Sequence, residues 1–171
     1  MKAYILDGRA PYAWIAMACM GLLGYAYFAE FVMGLEPCPL CMLQRFGFMG
    51  ILVVALLAIL HNPGPLGRWL YALPMLASAG WGLTTAYRHV WLQSLPEDEV
   101  PDCGPGLEFM QSYGFSWAEI VTEAFTGSGQ CAEIDWAFLG LSMPYWTLIW
   151  YVIAVVFIFT AAVWGRQISA Q

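Results

Sequence analysis

Four long stretches without a charged residue dominate this sequence, at positions 12–29, 46–60, 69–87 and 144–165. A helix needs about 20 residues to cross a hydrocarbon core of about 30 Å. The stretch at 46–60 is short for this purpose unless its helix begins near Cys41. The chain is 61% hydrophobic and only 11% charged, whereas about a quarter of the residues of a soluble domain are charged. The sequence therefore predicts an all-α membrane protein.

We expect one membrane domain over residues 1–171, built as a four-transmembrane-helix bundle. The first stretch is interpreted as a retained span, because its apolar run exceeds the usual core of a signal peptide, about 7–15 residues. The predicted spans cover about 12–33, 42–60, 69–90 and 144–165, with a long loop over about 91–143.

Positive charges predict the orientation of the bundle. Lys2, Arg9, Arg68 and Arg166 fall in the termini and the 61–68 connection, and such residues stay on the cytoplasmic side. Both termini are therefore expected in the cytoplasm and the long loop outside. Residues 92–143 contain no Lys or Arg and nine acids, namely Glu97, Asp98, Glu99, Asp102, Glu108, Glu119, Glu123, Glu133 and Asp135.

The long loop contains one helix signal. Ser116 and Glu119 have the spacing of a capping box, and Trp117, Ile120, Val121, Ala124 and Phe125 follow on one helical face. A short amphipathic helix on the membrane surface fits this pattern. A small ectodomain that packs on itself is the alternative.

Cys38-Pro39-Leu40-Cys41 is a Cys-x-x-Cys pair at the outer end of the second span. Such a pair is half of a zinc site, a redox dithiol or a coincidence. Zinc needs four ligands, and Cys103 and Cys131 could complete a set by count. The outer location, where disulfides persist, and the helix N-terminus, which favours a thiolate, indicate redox chemistry instead. No metal site is predicted.

Two further features accompany this pair. Arg45 lies one helical turn beyond Cys41 and would favour negative charge there; an interfacial anchor is the alternative interpretation. Cys103 and Cys131 lie in turn-rich parts of the loop, either as a structural staple or as an exposed, exchangeable disulfide. Cys19 in mid-helix is interpreted as a packing residue.

Two cysteine pairs on one side of a membrane suggest an electron relay. One pair is reachable by a soluble protein, and the other is anchored at the bilayer edge beside a cation. Continuous turnover needs a terminal acceptor, and a lipid-soluble quinone is the natural acceptor where Cys41 and Arg45 meet the bilayer.

Several motifs together carry a resemblance to a known family. They are Cys38-Pro39-Leu40-Cys41 with Gln44-Arg45, Tyr87-Arg88-His89 with Leu92-Gln93, Gly129-Gln130-Cys131-Ala132-Glu133, and Trp136-x-Phe138-Leu139-Gly140-Leu141-x-Met143-Pro144. In combination they resemble the DsbB family of bacterial disulfide-bond formation proteins, from the first span to the fourth.

The resemblance implies a quinone-dependent protein-disulfide oxidoreductase of the bacterial inner membrane, with its redox loops in the periplasm. Cys103 would form a mixed disulfide with a periplasmic DsbA-like thioredoxin-fold oxidase, and Cys131 would resolve it through a disulfide with Cys38. Cys41 would meet the quinone, either ubiquinone or menaquinone. The implied resting disulfides are Cys38–Cys41 and Cys103–Cys131, and the implied quinone-binding residues are Arg45, Gln44 and His89. Gln44 stands where some members carry an acid.

Three alternatives stay open at this point. A DsbI-like paralogue would have the same chemistry with one dedicated partner. The vitamin K epoxide reductase type also has four helices, but its quinone-facing Cys-x-x-Cys comes after its loop cysteines. A scaffold or small transporter would leave the Cys38–Cys41 pair beside Arg45 unexplained, and intramembrane charge is sparse for an ion pathway. No nucleic-acid partner is expected.

Overall fold

The computed structural model describes residues 8–64, 66–96, 99–100, 112–116, 118–119, 122 and 129–168, without the side chains of 130 and 164–168. Its long elements are four helices: α1 (Ala10–Phe31), α2 (Pro39–His61), α3 (Gly67–Gln93) and α4 (Met143–Ile168). Each of the four apolar stretches lies within one of them. A short helical turn (Gly129–Cys131) and a small antiparallel hairpin of β1 (Ala137–Phe138) and β2 (Leu141–Ser142) precede α4.

Local residue chemistry fixes both ends of α2. Cys38 has extended backbone angles and is the N-cap, and Pro39 follows at the first helical position, where its missing N–H costs nothing. Asn62 adopts a left-handed conformation with φ 47° at the C-terminal end, which asparagine tolerates better than most residues. Pro63 then prevents the helix from continuing. The Cys-x-x-Cys pair is thereby held in the first turn of a helix.

Among the described residues, three helices are long and apolar enough to cross a membrane: Ala10–Phe31, Pro39–His61 and the Met143–Val163 part of α4. The structure thus agrees with the prediction of a helical membrane protein. Helix α3 is long enough but more polar, so the predicted third span at 69–90 stays a prediction.

Helix α2 packs against both α1 and α3, α3 packs against α4, and α1 and α4 also touch. Two glycines bring α2, α3 and α4 together. Side chains added at Gly47 or Gly82 would overlap Tyr151 of α4, whose ring is fully buried and stacks on Phe48. Close helix approach at small residues is typical of membrane bundles. Here it brings the Tyr151 hydroxyl to the Gln44 carbonyl, to which it donates a hydrogen bond.

Polar contacts fasten the segment 129–142 to the outer ends of α3 and α4. Ser142 Oγ donates to Gln93 Oε1 at 2.5 Å, and Gln93 Nε2 donates to the Glu133 carbonyl at 3.4 Å. Trp146 Nε1 donates to the Phe138 carbonyl at 3.1 Å. In the same segment, Cys131 packs against Leu40 and Leu43 at the N-terminal end of α2.

The predicted capping box is present in the long loop. The backbone N–H of Ser116 donates to Glu119 Oε2 at 2.8 Å, and the N–H of Glu119 donates to Ser116 Oγ at 3.3 Å. The Ser116 hydroxyl, which also donates to Glu119 Oε2 at 2.8 Å, and the Ser116 backbone N–H together lower the pKa of the exposed Glu119 carboxyl. The apolar residues predicted for this surface helix lie outside the described residues, namely Trp117, Ile120, Val121, Ala124 and Phe125.

Candidate active site

Cys38 and Cys41 form the centre of the site. Their sulfurs lie 3.0 Å apart, and the Cys38 sulfur accepts a hydrogen bond from the backbone N–H of Cys41 at 3.4 Å. A side chain at the N-cap usually satisfies one of the free N–H groups of the first turn, and here a thiol does so. Both side chains are half-buried, and both are thiols in this structure.

His89 of α3 contacts both sulfurs through different ring nitrogens. Nε2 lies 3.8 Å from Cys38 Sγ, and Nδ1 lies 4.0 Å from Cys41 Sγ. The imidazole is only 2% exposed. A histidine in this position can give or take a proton as the neighbouring sulfurs change state.

Gln44 controls which nitrogen of His89 carries the proton. Its amide Nε2 lies 3.1 Å from His89 Nδ1, and an amide nitrogen can only donate. Nδ1 therefore accepts, and Nε2–H points at Cys38. The Thr147 hydroxyl lies 2.6 Å from Gln44 Oε1 and 2.9 Å from the Pro144 carbonyl, so α4 fixes the amide that orients the imidazole.

Cys131 completes a cluster of three thiols. Its side chain is fully buried among Leu40, Leu43 and Leu92. The ligand atoms of Cys131, Cys38 and His89 all lie within 4.8 Å of one another. A hydrogen bond to Cys38, together with burial, raises the pKa of the Cys131 thiol well above its usual range. Cys131 is therefore protonated at neutral pH while it faces Cys38.

Arg45 extends from α2 toward α1. It forms an ion pair with Glu30, donates to the Ala26 carbonyl at 3.3 Å, and lies over the Tyr27 ring at 5.1 Å. Its side chain is 11% exposed. A buried, ion-paired guanidinium differs from the interfacial anchor that was the alternative interpretation.

A cavity of about 110 Å³ joins these groups. It approaches the roughly 150 Å³ of an apolar cavity that holds a benzene ring. Its walls combine apolar side chains of α1, α2 and the 129–142 segment with the polar groups described above. Among the lining residues are Leu22, Leu23, Glu30, Glu36, Cys38, Cys41, Gln44, Arg45, Phe48, His89, Trp136 and Thr147.

Five of the seven predicted site residues line this cavity: Cys38, Cys41, Gln44, Arg45 and His89. Cys131 adjoins it, within 4.8 Å of Cys38. Cys103 lies outside the described residues, so the Cys103–Cys131 disulfide and the role of Cys103 stay predictions. Cys19 is buried in the main apolar cluster of the bundle, as expected of a packing residue.

Three residues that sequence reasoning did not single out shape the site: Glu30, Thr147 and Tyr151. Glu30 is the acid that ends the first apolar stretch, and Thr147 is one of the few hydroxyl residues within the fourth. A charge at the end of one apolar stretch and a hydroxyl inside another were the features of the sequence that could have indicated these residues. Their partners lie 15, 103 and 107 positions away in the chain, and only the packing of the helices reveals them.

The fold and the site together define a class: a helical membrane protein with a thiol cluster and a cavity at one end of its bundle. A model of the DsbB family, described as disulfide bond formation protein DsbB, matches residues 8–161. The chain belongs to this family.

Curated relatives agree with the family assignment. Disulfide bond formation protein B of Marinobacter nauticus is 49% identical over 151 residues, which cover 88% of this chain and 89% of the relative. The protein of the same name from Chromobacterium violaceum is 43% identical, and the match covers 95% of this chain and 96% of that relative. The protein of the same name from Hahella chejuensis is 46% identical, and the match covers 94% of this chain and 93% of that relative.

Proposed function

We propose that this protein is a quinone-dependent thiol oxidase that reoxidises a periplasmic DsbA-like oxidase and so sustains disulfide bond formation. The observation that carries the proposal is the meeting of Cys38, Cys41 and Cys131 beside a cavity that also holds Arg45. The resemblance described above supplies the partner and the acceptor, and family membership supports both.

The thiol cluster supports a route for disulfide exchange. In the proposed exchange, a thiolate of the reduced partner attacks Cys103 and displaces Cys131 from a Cys103–Cys131 disulfide. Cys131 then attacks Cys38, forms a Cys38–Cys131 disulfide and releases Cys41. The Cys131 sulfur is within 4.8 Å of Cys38 Sγ, so a movement of under about 3 Å brings the two to the bonding distance of about 2.05 Å. The second partner thiol displaces Cys103 and leaves the partner oxidised.

The lining of the cavity suits the head of a quinone, and its walls would have to open when the head enters, because about 110 Å³ is less than the roughly 150 Å³ that holds a benzene ring. The cavity has apolar walls for a flat ring, and Arg45, the His89–Gln44 pair and Cys41 all line it. A bound quinone would supply a two-electron, two-proton acceptor. In the proposed site Arg45 stabilises negative charge, and His89 holds a proton at Nε2 next to Cys38.

The proposed placement is the bacterial inner membrane, with both termini in the cytoplasm and the thiol cluster at the periplasmic face. The charge distribution along the sequence supports this: Lys2, Arg9, Arg68 and Arg166 fall in the termini and the 61–68 connection, and the acids fall in residues 92–143. Nothing in the described site favours a dedicated partner of the DsbI-like kind over a general one.

A turnover assay tests the proposed function. The purified protein is mixed with quinone and a reduced DsbA-like oxidase, and quinone absorbance is followed. The wild-type chain and Cys19→Ser are expected to reduce quinone in proportion to the partner oxidised, whereas Cys41→Ser is expected to be inactive. Unchanged turnover in both Cys41→Ser and Cys103→Ser would refute the relay.

A further inference from the structure

Three metal-ligating side chains from separate parts of the fold converge at the thiol cluster. Cys38 is the N-cap of α2, His89 lies on α3, and Cys131 ends the short helical turn before the hairpin. Their ligand atoms lie within 4.8 Å of one another. Zinc binds cysteine sulfur at about 2.3 Å and histidine nitrogen at about 2.0 Å, so an ion at the centre would reach all three after small movements.

We propose that the reduced protein binds one thiophilic divalent cation, of the zinc or cadmium class, through Cys38, Cys131 and His89, and that the bound ion inhibits thiol oxidation. Two thiols lose their protons to solvent, and the cation accepts two thiolates and one imidazole nitrogen. No electron moves in this step. The binding stands on geometry alone, while the inhibition rests on the proposed function.

The surroundings of the three ligands suit a cation. Cys41 Sγ, 3.0 Å from Cys38 Sγ, or a water molecule is available as fourth ligand. Metal-ligating histidines usually donate their second N–H to a carbonyl or carboxylate, and Gln44 lies beside His89 Nδ1. If the Gln44 amide rotates by half a turn, its Oε1 faces His89 Nδ1 and can accept the N–H of that nitrogen. Thr147 permits this, because its hydroxyl can donate to the Pro144 carbonyl instead.

Oxidation state gates the proposed site. A disulfide from Cys38 to Cys41 or to Cys131 removes a thiolate ligand, since both sulfurs are then bonded to each other. The cation therefore competes with disulfide formation for the same sulfur atoms. The cation therefore binds only to the reduced protein.

Cadmium provides a direct readout, because cadmium–thiolate bonds absorb in the ultraviolet. Cd²⁺ is titrated into the full-length protein in detergent, once after thiol reduction and removal of the reductant, and once after treatment with a thiol oxidant. The reduced protein is expected to develop the band at one equivalent of cadmium, and the oxidised protein is expected to lack it. This comparison needs no substitution.

Variants then assign the ligands. Removing a group that only hydrogen-bonds to a metal ligand costs about 10–100-fold in affinity. Cys131 is itself a proposed ligand, so Cys131→Ser is expected to weaken cadmium binding by more than about 100-fold. Cys19→Ser, which changes a buried thiol outside the cluster, is expected to bind like the wild type. Equal affinity in Cys131→Ser, or equal bands in both oxidation states, would overturn the site.

The inhibitory effect is measured separately. Zn²⁺ added to the turnover assay is expected to stop quinone reduction, and a chelator is expected to restore it. Undiminished turnover at a zinc concentration that saturates the reduced protein would overturn the inhibition. If the zinc-free protein fails to turn over, the proposed function fails, while the cadmium titration still decides the binding site.

Discussion

Cys131 is a fully buried thiol, although the proposed exchange also needs a sulfur that a soluble partner can reach. Leucine side chains exclude water from it, and its hydrogen bond to Cys38 raises the pKa of its thiol. A protonated, buried thiol is a poor nucleophile toward solutes. Burial therefore shields Cys131 from reagents in solution, while its sulfur stays within 4.8 Å of Cys38 Sγ.

Alkylation rates test this assignment. In the reduced protein, Cys131 is expected to react slowly with iodoacetamide through neutral pH and to accelerate only in strong alkali, because its raised pKa keeps the thiol protonated. Replacing the hydrogen-bond acceptor, as in Cys38→Ala, is expected to move the onset of labelling to lower pH. Mass spectrometry of the digested protein gives the rate at each cysteine. Labelling of Cys131 at neutral pH as fast as that of an unfolded peptide would contradict the account.

Glu30 is expected to act as a positioning residue for Arg45. Charged hydrogen bonds contribute about 1.5–3 kcal/mol, so Glu30→Gln is expected to release Arg45 and raise the KM for quinone by roughly tenfold, since about 1.4 kcal/mol is a factor of ten. Glu36→Gln is the matched control, because Glu36 lines the same cavity without an ion pair to Arg45 in the described residues. Equal KM values in both variants would contradict this role.

Helix contacts set the position of Tyr151 and, through it, of the Gln44 backbone. The substitution Gly82→Ala places a methyl group in the Tyr151 ring, and overpacking of this kind costs about 1–3 kcal/mol. We expect a lower thermal midpoint and weaker activity. Gly80→Ala on the same helix has open space and is expected to be neutral or slightly stabilising. Circular dichroism in detergent measures the thermal midpoints of the two variants. Equal midpoints would show that close packing of Gly82 against Tyr151 does not stabilise the protein.

Much at the element scale could be predicted from the sequence. Runs without charge indicated four helices, and the Cys-x-x-Cys pair indicated a helix N-terminus, since Pro39 favours the first helical turn. The partners of Arg45, Gln44 and His89 could not be predicted. They depend on which faces of α1, α3 and α4 meet α2, and small residues such as Gly47 and Gly82 decide this only through close packing.

At the scale of the whole molecule, the orientation in the membrane stays a prediction, and α3 is its least apolar helix. Alkaline phosphatase, which is active only outside the cytoplasm, tests both points. A fusion after Pro96 is expected to be active, because α3 then exports the enzyme, and a fusion after Gln171 is expected to be inactive. Inactivity after Pro96 would contradict either the orientation or the α3 span, and a fusion after Asn62 separates the two, because it is inactive whenever the predicted orientation holds.

The central claim is that the Cys38–Cys41 dithiol passes its electrons to a quinone in the cavity beside it. The most direct measurement is a single turnover of the reduced Cys103→Ser protein with quinone and no partner, followed by quinone absorbance and by counting thiols. We expect one quinone reduced for each Cys38–Cys41 disulfide formed. No quinone is expected to be reduced when the same chain also carries Cys41→Ser. Disulfide formation without loss of quinone, or quinone loss in the Cys41→Ser protein, would contradict the account.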